Sequence, residues 1–258
     1  VTRAALPILA GGLLAGCASV NPQPAFVDVR DKVEERTGRE AHWVRGEQDA
    51  DVALARVRAL LAEELTAERA AEVALVNNRQ LQATLQELGI SQADYAQATR
   101  VSNPDFHSFV RFPDREPKGT NLELSVFQDF LDVLVQPLRK KLGAAQLEQA
   151  KLHVGDAMLR LMAETKAAHF TLVAREQLVT RLELIRDVNQ TAAEFARRQH
   201  EAGNINDLEL LNHEAAYNQS RVDLALAQVD VRKDRERLNR LMGLWGPDTA
   251  WRAEEGLS

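Results

Sequence analysis

Between Pro137 and Pro247 the chain contains no proline, and one short cluster, Glu201-Ala202-Gly203-Asn204-Ile205, interrupts that span. Proline removes a ladder hydrogen bond and clashes with the preceding turn, so its absence over such a length lets a helix run on. The span predicts one long helix starting at Pro137, a tight reversal, and a second helix coming back. Pro137 suits a first helical position, where no N–H is needed. Gly203 and Asn204 tolerate the left-handed backbone that ends a helix. Asn206 is placed to cap the return helix, with Glu209 as its capping-box partner and Ile205 stapling onto Leu210. At the helical rise, residues 137–200 would extend roughly 95 Å. A hairpin of that length cannot bury itself in an ordinary globular core and must lie against other elements.

Apolar spacing indicates what each helix presents. Leu147, Val154, Met158, Leu161, Thr165, Ala168 and Leu172 form a heptad-like seam. On the return helix Leu208, Leu211, Ala215, Val222, Ala225 and Val229 follow the same 3-4 rhythm, a second expected seam. Upstream, a short helix is expected over 51–64. Another starts at Thr66, carries Ala70, Val73, Ala74, Leu81, Leu85, Leu88 and Ala96 at helical spacing, and ends before Asn103-Pro104. That helix and the return helix are each about half as long as the main one, so end to end they would match it. Between them the period changes. Residues 105–112 (DFHSFVRF) and 121–128 (NLELSVFQ) alternate in character, with Leu122, Leu124 and Val126 on one face of the second run and Glu123 and Ser125 on the other. This is the mark of strands with one apolar face. Two strands alone are marginal, so these must join others.

Composition narrows the function. A net charge of -6 argues against a nucleic-acid surface, which needs a basic stripe. Charged residues make up 27% and aromatics 5%, a balance suited to long solvated helices rather than an aromatic-rich enzyme core. No Gly-rich phosphate loop, nucleophile elbow or metal-ligand repeat is present in the sequence. The six histidines form no His-x-x-x-His pair, and the mixed run Arg232-Lys233-Asp234-Arg235-Glu236-Arg237 reads as a solvated face. The chain is therefore read as a non-enzyme without metal or catalytic residues.

The single cysteine has a telling context. Arg3 precedes the apolar run Ala4–Ala15, followed by Gly16 and Cys17. This resembles a bacterial lipoprotein signal peptide whose lipobox is Leu14-Ala15-Gly16-Cys17. The apolar run is too short to cross a bilayer as a helix. The resemblance implies a covalent lipid on Cys17 as the one attached group, and Ala18 after it implies sorting to the outer membrane. Residues 18–50, with Asn21-Pro22-Gln23-Pro24, are expected to form an extended N-terminal linker, laid on another surface by Phe26, Val29, Val33 and Trp43.

Taken in order, several patterns resemble the TolC-like outer-membrane efflux factor family. They are Ala74-Leu75-Val76-Asn77-Asn78-Arg79-Gln80-Leu81 leading to Asn103-Pro104, the strand pair followed by Gln136-Pro137-Leu138-Arg139, and Arg198, Gly203, Asp207 and Leu208 running on to Leu241-Met242-Gly243, besides the lipobox. The 26–43 segment and Leu244-Trp245-Gly246 look most like members serving heavy-metal-type pumps. The likeness covers one of the family's two tandem repeats, which implies a fragment of a longer gene. It implies a mainly α fold with a small β part: a long antiparallel helical hairpin as a coiled-coil barrel segment, plus two strands of a transmembrane β-barrel. The expected division is a signal peptide (1–17), the linker (18–50) and a single repeat (51–258), with helices 51–102, strands 105–128, hairpin 137–243 and tail 244–258.

The family forms trimeric tubes that work with a periplasmic adaptor protein and an inner-membrane pump. The resemblance thus implies a homo-oligomeric channel subunit, lipid-anchored in the outer membrane with a periplasmic helical domain, exporting small toxic solutes such as drugs or metal ions. Leu122, Leu124 and Val126 would meet lipid while Glu123 and Ser125 face water. Arg198, Gly203 and Asn204 would lie where the adaptor docks. Two other readings stay open on the residues: a periplasmic adaptor lipoprotein and a structural coiled-coil lipoprotein.

Overall fold

The computed structural model describes residues 20–112, 114, 116 and 119–254. Its elements are α1 (Gln23–Thr37), α2 (Glu47–Leu61), α3 (Ala67–Asn77), α4 (Arg79–Ala98), β1 (Asp105–Arg111), β2 (Asn121–Phe127), α5 (Phe130–Glu201), α6 (Asp207–Met242) and a 3-10 turn at Gly246–Thr249. The contacts divide the chain into two compact units. The first holds the described residues through Val29 with Leu85–Val154; the second holds Arg30–Thr84 with the described residues from Gly155 on.

The long helix and its return are both present, with altered bounds. α5 has 72 residues, about 108 Å at the helical rise, and begins at Phe130 rather than at Pro137, which lies inside it. A proline in the second turn forfeits a single ladder bond, to the Val133 carbonyl. Asp129 Oδ1 accepts the Leu131 N–H at 2.9 Å, and Arg139 reaches back to the Asp132 carbonyl at 2.9 Å. The helix start is therefore secured on both sides of Pro137.

In the second unit, α2, α3, α5 and α6 enclose one core. Val57, Leu65, Val73, Val76, Leu172, Leu238, Met242 and Trp251 meet there, all essentially buried. On α5 the expected seam holds within this unit, for Met158, Thr165, Ala168 and Leu172 are buried. On α6 the expected seam does not. Leu208, Leu211 and Val222 are exposed, while Leu224, Leu238 and Met242 are buried and Leu210, Tyr217 and Val231 half-buried. α6 is apolar on two sides, and the side bearing Tyr217, Ser220 and Asn239 is the one packed. The ion pairs Arg175–Asp230 (2.8 Å), Arg175–Asp234 (2.6 Å) and Arg197–Glu214 (2.8 Å) flank that seam. Asp234 and Arg235 thus belong to packed structure rather than to a solvated face, since Arg235 also lies over the Trp251 ring at 4.0 Å.

The helix expected from Thr66 to 102 is two helices, broken at Asn78. Thr66 caps α3 by accepting the Arg69 N–H. Asn78 is extended, and its Oδ1 accepts the Leu81 N–H at 2.8 Å, starting α4 anew. The two asparagines at the break hold the end of α6. Asn77 Nδ2 donates to the Met242 and Gly243 carbonyls (3.0 and 2.9 Å) and Asn78 Nδ2 to that of Leu241 (2.8 Å). Gly243 takes φ +68°, and a Cβ there would stand 2.4 Å from the Asn77 carbonyl oxygen. Two of the patterns singled out in the sequence are one joint in the fold.

The segment expected to be an extended linker contains a helix. Asn21 Oδ1 accepts the Gln23 N–H at 3.0 Å, so Asn21-Pro22-Gln23-Pro24 starts α1 instead of preventing it. Phe26, Val29 and Val33 are buried, as is Trp43 beyond the helix, so the expected anchors do anchor. Within the second unit, Glu72 is buried and accepts from both Arg39 and Arg56 at 2.8 Å. Gln82 clasps the same segment, accepting the Val44 N–H (2.9 Å) and donating to the His42 carbonyl (2.7 Å). The stretch after α6 also packs. The Leu65 N–H donates to the Arg252 carbonyl at 2.8 Å, and the Trp251 indole donates to Asn239 at 2.8 Å.

Candidate functional site: the strand pair, its foot and the hairpin turn

β1 and β2 pair antiparallel, and the register decides which side chains share a face. Phe106 opposes Val126, Ser108 opposes Leu124 and Val110 opposes Leu122; on the other face His107 opposes Ser125, Phe109 opposes Glu123 and Arg111 opposes Asn121. One face is thus apolar except for Ser108, and the other mixes Asp105, His107, Arg111 and Glu123 with the exposed rings of Phe109 and Phe127. The alternation puts Leu122, Leu124 and Val126 together, and the register adds Phe106 and Val110, which period alone could not align with them. All five are more than half exposed, from 51% at Val110 to 75% at Phe106. β1 and β2 form a sheet of two strands, so each has one edge without a strand partner among the described residues.

The foot of the strands, in the same unit, is a network the sequence did not reveal. The link Thr99–Asn103 between α4 and β1 is held by the strand exit and the first turns of α5. Asp132 accepts the Ser102 N–H (2.9 Å), Gln128 Nε2 donates to the Ser102 carbonyl (3.2 Å) and Gln136 Nε2 to the Thr99 carbonyl (2.7 Å). Arg139 pairs with the Asp132 carboxylate. The Ser102 N–H first, and Arg139 with it, hold the Asp132 carboxyl below the usual carboxylate range. Gly143 lets α4 approach, for a Cβ there would lie 3.1 Å from that of Ala98. Asn103 and Arg139, taken from two separate sequence patterns, line one cavity of about 470 Å³ together with Val20 and Arg100.

The hairpin turn lies in the second unit. Gly203 has φ +77°, whereas Asn204 does not enter the left-handed region; one left-handed residue suffices. The Gly203 N–H donates to the His200 carbonyl and the Asn204 N–H to that of Gln199, both at 2.8 Å. This paired arrangement closes a helix end. Asn206 Oδ1 accepts the Glu209 N–H at 2.9 Å, the cap expected from the sequence. His200 Nε2 and Asp207 Oδ1 lie 2.6 Å apart across the turn. Arg198, Gly203 and Asn204 are all exposed.

Cys17 and its lipobox lie outside the described residues. Among the described residues no group of three or more His, Cys, Asp or Glu is arranged to hold a metal ion, and no helix is long and apolar enough to cross a membrane. His169 is buried and its Nε2 lies 2.7 Å from the Leu65 carbonyl, a packing role.

No family model matches this sequence, and no curated protein matches it. Solved structures do. CusC, whose crystal structures concern folding and transmembrane channel formation, aligns with a TM-score of 0.56 at 19% identity, covering 71% of this chain and 44% of its own. The outer-membrane channel OprN aligns with a TM-score of 0.55 at 18% identity, covering 70% of this chain and 42% of its own. The chain has the fold of part of these channels. It spans less than half the length of either.

Proposed function

We propose that this chain is a subunit of an outer-membrane efflux channel, with β1 and β2 contributing to a closed transmembrane barrel and the α5–α6 hairpin to a periplasmic conduit. The observation that carries the reading is the strand pair: one face almost wholly apolar and exposed, the other mixing Asp105, His107, Arg111 and Glu123 with Phe109 and Phe127, on a fold shared with outer-membrane channels. Lipid offers no partner for backbone polar groups, so the edges of β1 and β2 must be closed by further strands, from other copies or other channel segments. Phe106, Val110, Leu122, Leu124 and Val126 face lipid in this arrangement, and Glu123 and Ser125 face the aqueous lumen. The exposed apolar stripe of α6 (Leu208, Leu211 and Val222) is covered in the oligomer.

Lipid anchoring through Cys17 fits the same orientation. Val20 lines the cavity beside Val101, Ser102 and Asn103, immediately before β1. The exposed tip at Arg198, Gly203 and Asn204 is the docking point for a periplasmic adaptor linked to an inner-membrane pump, and the cargo is small toxic solutes.

Fractionation tests the reading. The expressed chain should sediment with the outer membrane, resist an alkaline aqueous wash and need detergent for extraction. Recovery in the wash contradicts a membrane-embedded strand pair.

A further inference from the structure

We propose that the cavity at the foot of the strand pair is a binding site for the phosphate headgroup of an anionic lipid. The proposal rests on the channel reading, which sets this cavity at the periplasmic membrane surface. Its volume is about 470 Å³, within the range of ligand-binding clefts, and Arg100, Arg139, Ser102, Asn103 and Gln97 supply its polar lining. Arg100 has no carboxylate partner among the described residues. Arg139 gives one end of its guanidinium to Asp132, while its Nε is buried without a hydrogen-bond partner. One acid is thus set against two guanidinium groups, leaving the cavity an excess positive charge.

A buried N–H without an acceptor is costly, and a planar guanidinium matches phosphate oxygens with parallel donors. The apolar side of the cavity, Val20, Ala93, Ala96 and Val101, suits the glycerol and upper acyl carbons of a lipid better than a free ion. Basic side chains close to a bilayer surface attract anionic lipids. A bound headgroup would fasten the Thr99–Asn103 link, and hence β1, at a fixed depth.

The test uses the whole chain in neutral detergent, titrated with phosphatidylglycerol, phosphatidylcholine and inorganic phosphate, with retention read by native mass spectrometry. Phosphatidylglycerol should bind about tenfold more tightly than phosphatidylcholine, as expected for charge-assisted hydrogen bonds. Arg100→Gln should abolish that preference and Arg100→Lys should keep part of it. Arg100 lies outside the Asp132 network, so both variants should retain the wild-type circular dichroism spectrum. Equal binding of the two lipids, or an unchanged preference in Arg100→Gln, overturns the proposal. Displacement of the lipid by inorganic phosphate at matching concentration overturns the lipid as the source of the anion. Aqueous extraction of the wild-type chain would sink the channel reading instead, whatever the lipid titration gives.

Discussion

Replacing Gly243 with alanine should be among the most damaging single changes to the second unit, and the structure supplies the size of the effect. Gly243 has φ +68°, a conformation that costs a residue with a Cβ about 1–2 kcal/mol. The added Cβ would also stand 2.4 Å from the Asn77 carbonyl oxygen and 3.0 Å from its carbon, so backbone must move. That movement separates Asn77 from the Met242 and Gly243 carbonyls, two hydrogen bonds contributing about 1 kcal/mol each. The expected loss is about 3–4 kcal/mol. Gly203→Ala is the internal control: its φ is +77° but nothing lies within 4 Å of the added Cβ, so only the conformational cost of about 1–2 kcal/mol should appear. Trp43, Trp245 and Trp251 all lie in the second unit, so tryptophan fluorescence during urea unfolding of the detergent-solubilised chain reports on it. The Gly243 variant should unfold at a clearly lower midpoint than the Gly203 variant, with similar slopes. Equal midpoints would refute the close approach of α6 to the Asn77–Asn78 break.

Glu72→Gln should cost about 2 kcal/mol, because Arg39 and Arg56 lose their shared carboxylate; thermal melting checks this, and a Glu72→Gln, Arg56→Gln double variant should be less than additive. Asp132 and Glu68 have lowered carboxyl values, Asp132 through the Ser102 N–H and Glu68 through Lys166. Their stabilisation is therefore complete above the ordinary carboxylate range and lost as pH falls through the lowered values. A melting-temperature profile should drop on its acid side, and Asp132→Asn should flatten that drop; an unchanged profile counts against the Ser102 latch. Cys17→Ser should abolish labelling by a radioactive fatty acid without altering the helical content by circular dichroism, and persistent labelling would remove the lipobox reading.

Much of the fold can be read along the chain wherever one local rule decides. The α5 seam follows a single heptad rhythm, and the Gly203 turn with its Asn206 cap is written in adjacent residues. The strand faces follow from alternation. Reading fails where two rules compete or where partners are distant. Pro22 and Pro24 suggested a break, yet prolines are also good helix starters, and Phe26, Val29 and Val33 already carried the helical spacing. Pro137 suggested a helix start because proline favours a first helical position, yet local contacts, the Asp129 cap and Arg139 to the Asp132 carbonyl, secure the turns on both sides of it. α6 has two apolar sides and the regular one faces outward, so rhythm pointed to the wrong face. The foot of the strands joins Ser102 to Asp132 and the α3 break joins Asn77 to Gly243, separations that no local pattern spans. Phe106 and Val110 joined the apolar face of Leu122, Leu124 and Val126 only once the register was known.

The central claim is that β1 and β2 cross a membrane with Leu124 toward lipid and Glu123 toward water. Single cysteines at these neighbouring positions, in a chain whose one native cysteine is Cys17, test it directly. Outer membranes bearing each variant are treated with a membrane-impermeant maleimide before and after detergent, with the unsubstituted chain as control. The account predicts rapid labelling of Glu123→Cys in intact membranes and labelling of Leu124→Cys only once detergent is added. Equal labelling of both in intact membranes, or the reverse preference, contradicts it.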